Sequence, residues 1–249
     1  MRPIVVTRAG VVGTVLVLVV AAVCVRLGFW QLDRRAQRLA LNAVIAARGA
    51  EPALVLSSAP WDTAGLLYRA VELRGEYDDA HAIVLAGRSH AGSPGVHVLT
   101  PLKLASGGAI LVDRGWVRSP DARTVDLAPL ARPGTIQLRG VVLPFPAVKA
   151  RVAAATDTAA AAGADRVVHR LDYDRIRRQL PYAVPAAYVQ AVPEADAPAS
   201  PLRLPPPQPG AGPHLSYAVQ WFAFAAVALI GWLALVLRRG WPGKRGAGD

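Results

Sequence analysis

"HLSYAVQWFAFAAVALIGWLALVL" (residues 214–237) carries no acidic or basic side chain beyond the histidine that opens it, and Arg238 and Arg239 close it. The hydrocarbon core of a bilayer takes about 20 apolar residues in a helix, so this stretch is long enough to cross unaided. A span here constrains everything upstream, because the chain must return to a membrane at residue 214.

A second apolar stretch lies near the other end. Residues 9–25, "AGVVGTVLVLVVAAVCV", are uncharged, and the apolar run resumes after Arg26 with Leu27, Phe29 and Trp30. A membrane helix over 9–30 follows if Arg26 snorkels toward the headgroups. The competing reading is a cleaved signal peptide, with Arg2 and Arg8 ahead of the apolar run and small residues before Cys24. The run is long for a leader and Val23 is a poor residue to precede a cut, which favours an uncleaved anchor. Cys24 is the only cysteine. It can form no intrachain disulfide and behaves as a small apolar side chain.

The formal charge of +11 invites a nucleic-acid reading. Residues 31–213, however, hold 21 Lys and Arg against 16 Asp and Glu, and the remaining excess flanks the two apolar stretches. Basic flanks beside anionic lipid account for it, so the partner surface is the bilayer and no nucleic acid is expected. Arg238, Arg239, Lys244 and Arg245 after the second stretch place its far side in the cytoplasm. The first stretch votes the other way, with Arg26, Arg34, Arg35 and Arg38 outnumbering Arg2 and Arg8. The second asymmetry is the larger, so both termini are read as cytoplasmic in a multi-pass protein of the cell membrane, with the middle of the chain outside.

Between the spans, "QLDRRAQRLALNAVIAARG" (31–49) continues the first helix and stops at glycine. From residue 68 the pattern becomes alternating: "YRAVELRGEY" (68–77), "HAIVLAGRS" (81–89), "GVHVLTPLKL" (95–104), "AILVDRGWV" (109–117) and "TIQLRGVVL" (135–143). Turn signals separate them at 77–79, 93–95, 106–108 and 132–134. With no room for crossover helices, these runs predict an antiparallel sheet curling toward a barrel. Asp172 caps a short helix running to Leu180, "AAYVQAV" (186–192) reads as a sixth strand, and the alanine-rich residues 153–164 read as an insertion. The expected fold is two transmembrane helices, 9–30 and 214–237, flanking an extracytoplasmic β-rich α+β domain, 31–192. A proline-dense linker, 193–213, and a basic cytoplasmic tail, 238–249, complete it.

Evidence for catalysis is absent from the residues. "GRSHAG" (87–92) has one residue too many for a nucleophile elbow, and His81, His90, His97 and His169 show no metal-ligand spacing. No phosphate loop or dinucleotide fingerprint occurs, so the chain reads as a non-enzyme. In "ILVDRGWV" (110–117), Asp113, Arg114, Gly115 and Trp116 admit two readings: an Arg and Trp anchor for a partner, or an internal Asp113 to Arg114 pair with Trp116 in the core. Composition favours the second. At about 100° per residue, His214, Tyr217, Trp221 and Phe224 share one stripe of the last helix. Interfacial aromatics and a polar flank explain that stripe; an axial imidazole above a flat macrocycle explains it too.

The chain resembles the Surf1 family of cytochrome c oxidase assembly factors in "RLGFWQLDRRAQR" (26–38), "YRAVELRGEY", "GVHVLTPLKL", "ILVDRGWV" and "PHLSYAVQWFAFA" (213–225), in that order between two apolar stretches. The resemblance implies a membrane protein with both termini cytoplasmic, assisting formation of the haem a centre in the oxidase catalytic subunit. It implies a transient haem a contact with His214 as iron ligand, and the stripe on the last helix adds Tyr217 and Trp221 beside it. Gly28, Trp30, Gln31, Arg34, Arg114, Gly115 and Trp116 match the family's motifs and are expected to bind partners: oxidase subunits, chiefly the catalytic one, and the haem a synthesis machinery. Asp113 departs from a common asparagine and Arg38 from a common lysine.

Overall fold

The computed structural model describes residues 8–57, 62–105, 107–146, 166–206 and 210–240. The alanine-rich stretch, Trp61 and the tail beyond 240 lie outside the described residues. The chain divides into two compact units, Met1–Val44 with Pro209–Asp249, and Ile45–Gln208.

The first unit is a pair of helices. Helix α1 (Arg8–Gly49) runs without a break through both the apolar stretch and the basic one after it, as the absence of proline and internal turn signals dictates. The last helix, α4 (His214–Gly240), begins at the histidine. Both are long and apolar enough to cross a membrane. Their outward apolar side chains are bare, Val12 being 67% exposed, Val227 69% and Ile230 66%.

The two helices meet along small residues. Gly10, Ala21, Cys24 and Gly28 are the buried positions of α1, and Ala218 and Ala225 those of α4. On α1 the steps of 11, 3 and 4 residues fit the alternation of 3 and 4 that brings one face of a helix repeatedly against a neighbour. Small side chains let the backbones approach, and the aromatic rings of the partner fill the space. A methyl group at Gly28 would lie 2.6 Å from the Phe222 ring, and one at Gly13 would lie 2.4 Å from Trp232. Gly13 facing Trp232 and Gly28 facing Phe222 make the pair antiparallel.

In the second unit, the five alternating runs become β2 (Ala70–Tyr77), β3 (Ile83–His90), β4 (Ser93–Leu104), β5 (Ala109–Arg118) and β6 (Thr135–Pro144). The sixth run becomes β8 (Ala187–Ala191). Two strands escape sequence reading, β1 (Leu54–Leu56) and β7 (Val167–Val168), because two or three residues show no period. A one-turn helix α2 (Thr63–Leu66) follows β1, and α3 (Tyr173–Gln179) is capped as expected, Asp172 accepting from the Arg175 amide at 3.1 Å.

The sheet is mixed, which corrects the antiparallel expectation. β1 with β2, β3 with β7 and β5 with β8 are parallel. The parallel partners of β3 and β5 arrive after long connections, so no tight crossover is needed. The barrel-like closure holds: β2 pairs with β6, β6 with β8, β8 with β5, β5 with β4, and β4 with β2. β4 serves both β3 and β2, its first half against one and its end against the other. The turn expected at 93–95 is also displaced. His90 pairs with Ser93, so the hairpin turns at Ala91 and Gly92, both with positive φ, and Pro94 lies in the strand.

Two cores result. Val71, Leu73, Leu102, Ile110, Val112, Leu138 and Val189 fill the ring. On the opposite face of β4 and β5, Leu99 and Leu111 join Ile83, Leu85 and the residues Ile176 and Leu180 of the α3 segment. Burial on both faces explains why β5 reads as an almost continuous apolar run.

Candidate functional site

In the helix pair, His214 occupies the first turn of α4 and is half-buried. Its Nδ1 lies 2.9 Å from Oε1 of Gln31 on α1. With the amide oxygen as acceptor, Nδ1 carries the proton and donates it, leaving Nε2 with its lone pair. Gly212 lies against that side of the ring: a methyl group there would be 3.1 Å from Cδ2 and 3.3 Å from Nε2. An imidazole held by a hydrogen bond through one nitrogen, with the lone pair on the other, has the arrangement that metal-binding histidines use.

The four-residue stripe divides once the helices are paired. Trp221 packs against Ala21, Cys24 and Ala225, so it shares the helix-facing side with His214. Tyr217 is 48% exposed and Phe224 50%. Phe224 touches Trp221 edge-on at 5.9 Å. The motif residues of α1 divide in the same way. Gly28 and Gln31 face α4, whereas Trp30 is exposed with the Arg34 guanidinium 5.6 Å from its ring centre. Arg34 also donates to Gln37 at 3.0 Å. Gln31, matched as a partner-binding position, is thus a neighbour of His214.

In the barrel unit, Arg114 is the extra residue of a β-bulge: Val98 pairs with Gly115 and Leu99 with Asp113. A bulge turns consecutive side chains away from strict alternation, which lets Asp113 and Arg114 both be buried. Arg114 donates to Asp79 at 2.9 Å and to the Leu130 carbonyl. Its guanidinium stacks 4.4 Å from the Tyr77 ring centre. Burial pulls the Arg114 pKa below its ordinary value, and Tyr77 and Asp79 oppose that. The same burial raises the Tyr77 phenol. Asp113 faces elsewhere, its carboxylate 2.8 and 3.0 Å from His97 Nδ1 and accepting from the Gly115 amide.

The internal Asp113 to Arg114 pair is therefore corrected: each is bound to a different partner. Trp116 is not in the core either. It is half-buried, covers Gly95, and lies 5.5 Å from the His90 ring, with its Nε1 lacking a hydrogen-bond partner among the described residues. Gly115 has φ +128, and a methyl group there would meet the Leu202 carbonyl at 2.3 Å. That contact is required, because Trp116 and Leu202 exchange both backbone hydrogen bonds, at 2.8 and 2.7 Å. The proline-dense segment is thus fastened to β5, with Arg203 reaching the Val192 carbonyl at 3.3 Å and Gln190 donating to Leu204 at 3.0 Å.

The Gln31 to His214 and His97 to Asp113 pairs were not found by sequence reasoning. The first joins residues 183 apart, and no local pattern encodes it. The second was within reach: Asp113 faces Leu99, so His97 is its diagonal neighbour across the hairpin. Among the described residues no three His, Cys, Asp or Glu side chains group to hold a bare metal ion.

A model of the SURF1 family matches residues 18–226. Surfeit locus protein 1 of Mus musculus is 31% identical over 115 residues, covering 40% of this chain and 38% of that protein. A SURF1-like protein of Monosiga brevicollis is 32% identical over 136 residues, covering 50% and 52%. One of Rickettsia conorii is 33% identical over 103 residues, covering 41% and 42%. The chain spans about half or less of the length of these curated relatives. The family match itself runs from within α1 through the barrel and into α4, and on that extent the chain belongs to the SURF1 family.

Proposed function

We propose that this chain is a membrane-anchored assembly factor for cytochrome c oxidase, not an enzyme, and that it holds haem a at His214 before the haem enters the oxidase catalytic subunit. The observation that carries the haem reading is the His214 imidazole beside α1, its Nδ1 engaged by Gln31 and its Nε2 left free. Those residues fit an iron porphyrin: one imidazole nitrogen, an orienting amide behind it, Trp221 on the same side of the helix and Tyr217 one turn on at its exposed face. Haem a would supply a Lewis-acidic iron there. His214 would hold it, Gln31 would fix the imidazole tautomer and ring orientation, and Trp221 would offer an apolar ring to the macrocycle. A single protein ligand suits temporary custody, because release breaks one bond.

The bilayer supports α1 and α4 in this account. Bare valine and leucine on both helices would face water at a heavy cost in any other setting, and the basic residues after residue 237 support a reading with both termini cytoplasmic and the barrel outside. The exposed Trp30 and Arg34 pair and the half-covered Trp116 are the surfaces offered to oxidase subunits and to the machinery that makes haem a. The same surfaces favour a second reading, a scaffold that gathers subunits and carries no haem. The absorption spectrum of protein purified in detergent from cells that make haem a separates the two: a haem a band supports custody, and a colourless preparation that still co-purifies with oxidase subunits supports the scaffold.

A further inference from the structure

A cleft of about 570 Å³ opens on the second core of the barrel unit, within the ~300–1,000 Å³ range of small-molecule sites. Leu171 and Leu204 contribute apolar walls, and Arg88, His97, Arg170 and Tyr188 bring polar groups to it.

The charges of the cleft do not balance from within. Three arginines elsewhere in the unit are held by carboxylates, Arg69 by Glu51, Arg114 by Asp79 and Arg203 by Glu194. Among the described residues Arg88 and Arg170 form no ion pair, although Arg88 is half-buried. The carboxylate that lines the cleft, Asp113, is already committed. Both its oxygens lie within hydrogen-bond distance of His97 Nδ1, and one also accepts from the Gly115 amide. Asp113 therefore orients His97 through Nδ1, leaving Nε2 as the ring nitrogen open to a ligand. Burial, and after it the Asp113 charge, push the Tyr188 phenol up to about 12 against the opposing pull of Arg88. The phenol thus remains a donor. Two guanidinium groups, an imidazole and a phenol, with apolar walls and no free acceptor carboxylate, are complementary to an oxyanion on an apolar body.

We propose that this cleft is a binding site for an amphipathic oxyanion, a carboxylate or phosphate carried on an apolar group, held chiefly by Arg88 and Arg170. Such an anion comes either from a free metabolite or from a lipid headgroup. The proposal is independent of haem at His214.

The test uses the full chain in phosphatidylcholine nanodiscs, titrated calorimetrically with benzoate, and in parallel the same chain in nanodiscs that also contain phosphatidate. Saturable benzoate binding that weakens at least about tenfold in the Arg88→Gln, Arg170→Gln double variant is expected, since each guanidinium gives charge-assisted hydrogen bonds. Arg88→Lys with Arg170→Lys should recover part of it. If phosphatidate in the disc blocks benzoate in the unaltered chain and not in the double variant, the natural ligand is a lipid headgroup; if it does not, the ligand is a free anion. Arg170 is exposed, so Arg170→Gln alone keeps the fold and should still weaken binding. Absence of saturable benzoate binding, or binding unchanged by the glutamine substitutions, overturns the proposal.

Discussion

His214 Nδ1 and Gln31 Oε1 stand 2.9 Å apart, a hydrogen bond between α4 and α1. Its loss should be felt as orientation before it is felt as stability. Gln31→Leu is expected to weaken haem a retention about fivefold, the equivalent of one net hydrogen bond of ~1 kcal/mol, and to shift the absorption band while His214 remains. Gln31→Glu keeps an acceptor and should retain haem at least as well. Equal retention in Gln31→Leu, with an unaltered band, would make the pairing incidental to the iron site.

The helix pair rests on small residues, so enlarging one should part it. A side chain at Gly28 begins 2.6 Å from the Phe222 ring, and that ring is already held edge-on by Phe29 at 5.4 Å. Gly28→Leu is expected to destabilise the pair by about 1–3 kcal/mol, the range for overpacked sites. Thermal unfolding of the detergent-solubilised protein, followed by tryptophan fluorescence, should show a lowered midpoint. Gly49→Leu is the control, since nothing lies near that position.

Arg114 and Trp116 are neighbours in sequence with different duties. Arg114 is buried on Asp79 and the Leu130 carbonyl, and removing one partner of a buried pair costs about 3–5 kcal/mol. Arg114→Ala should therefore lower the amount of folded protein. Trp116 is half-covered at the hairpin end, so Trp116→Ala should leave accumulation nearly intact and reduce co-purification with oxidase subunits. Quantitative immunoblots of membranes and of the purified complex check both. Normal accumulation of Arg114→Ala would contradict the structural role given to it.

The outline of the barrel was legible in the sequence because its strands alternate. Val71 and Leu73 face in while Arg74 and Glu76 face out, and β4 and β5 are long apolar runs. The bulge at Arg114 was not legible. Alternation sends Asp113 and Arg114 to opposite faces, and only the pairing of Leu99 with Asp113 and Val98 with Gly115 reveals the extra residue. The Asp113 to Arg114 pair is absent because Asp113 is engaged by His97 and Arg114 by Asp79. The helix stripe was read from α4 alone, which found His214 and Trp221 but could not separate Tyr217 and Phe224, whose exposure is decided by where α1 lies. The parallel strands were hidden for a related reason: β8 joins β5 across long intervening sequence, and pairing at that distance leaves no periodic trace.

Asp78 should set the acid limit of the barrel unit. Burial alone would raise its pKa, but Lys103 at 2.9 Å, the Tyr182 hydroxyl at 2.7 Å and His81 at 2.9 Å together hold the carboxyl well below the usual carboxylate range. A carboxyl whose folded value lies below its unfolded one, about 3.9, contributes stability that is full above that pH and is lost as pH falls through the folded value. Stability at neutral pH should therefore decline once pH drops below about 4. Asp78→Asn should be less stable at pH 7 and show a flatter acid limb in pH-dependent thermal unfolding. A parallel acid limb in the variant would remove Asp78 from this role.

The most direct measurement is the visible spectrum of His214→Ala, purified beside the unaltered chain from cells that synthesise haem a. Alanine at the mouth of a span costs little in the bilayer, so the variant should reach the membrane in full amount yet lose its haem a band, because the sole protein ligand to iron is gone. Tyr217→Phe should keep most of the band, and Trp221→Leu should fall between them. A His214→Ala protein that retains haem a with an unchanged spectrum would contradict haem custody at His214.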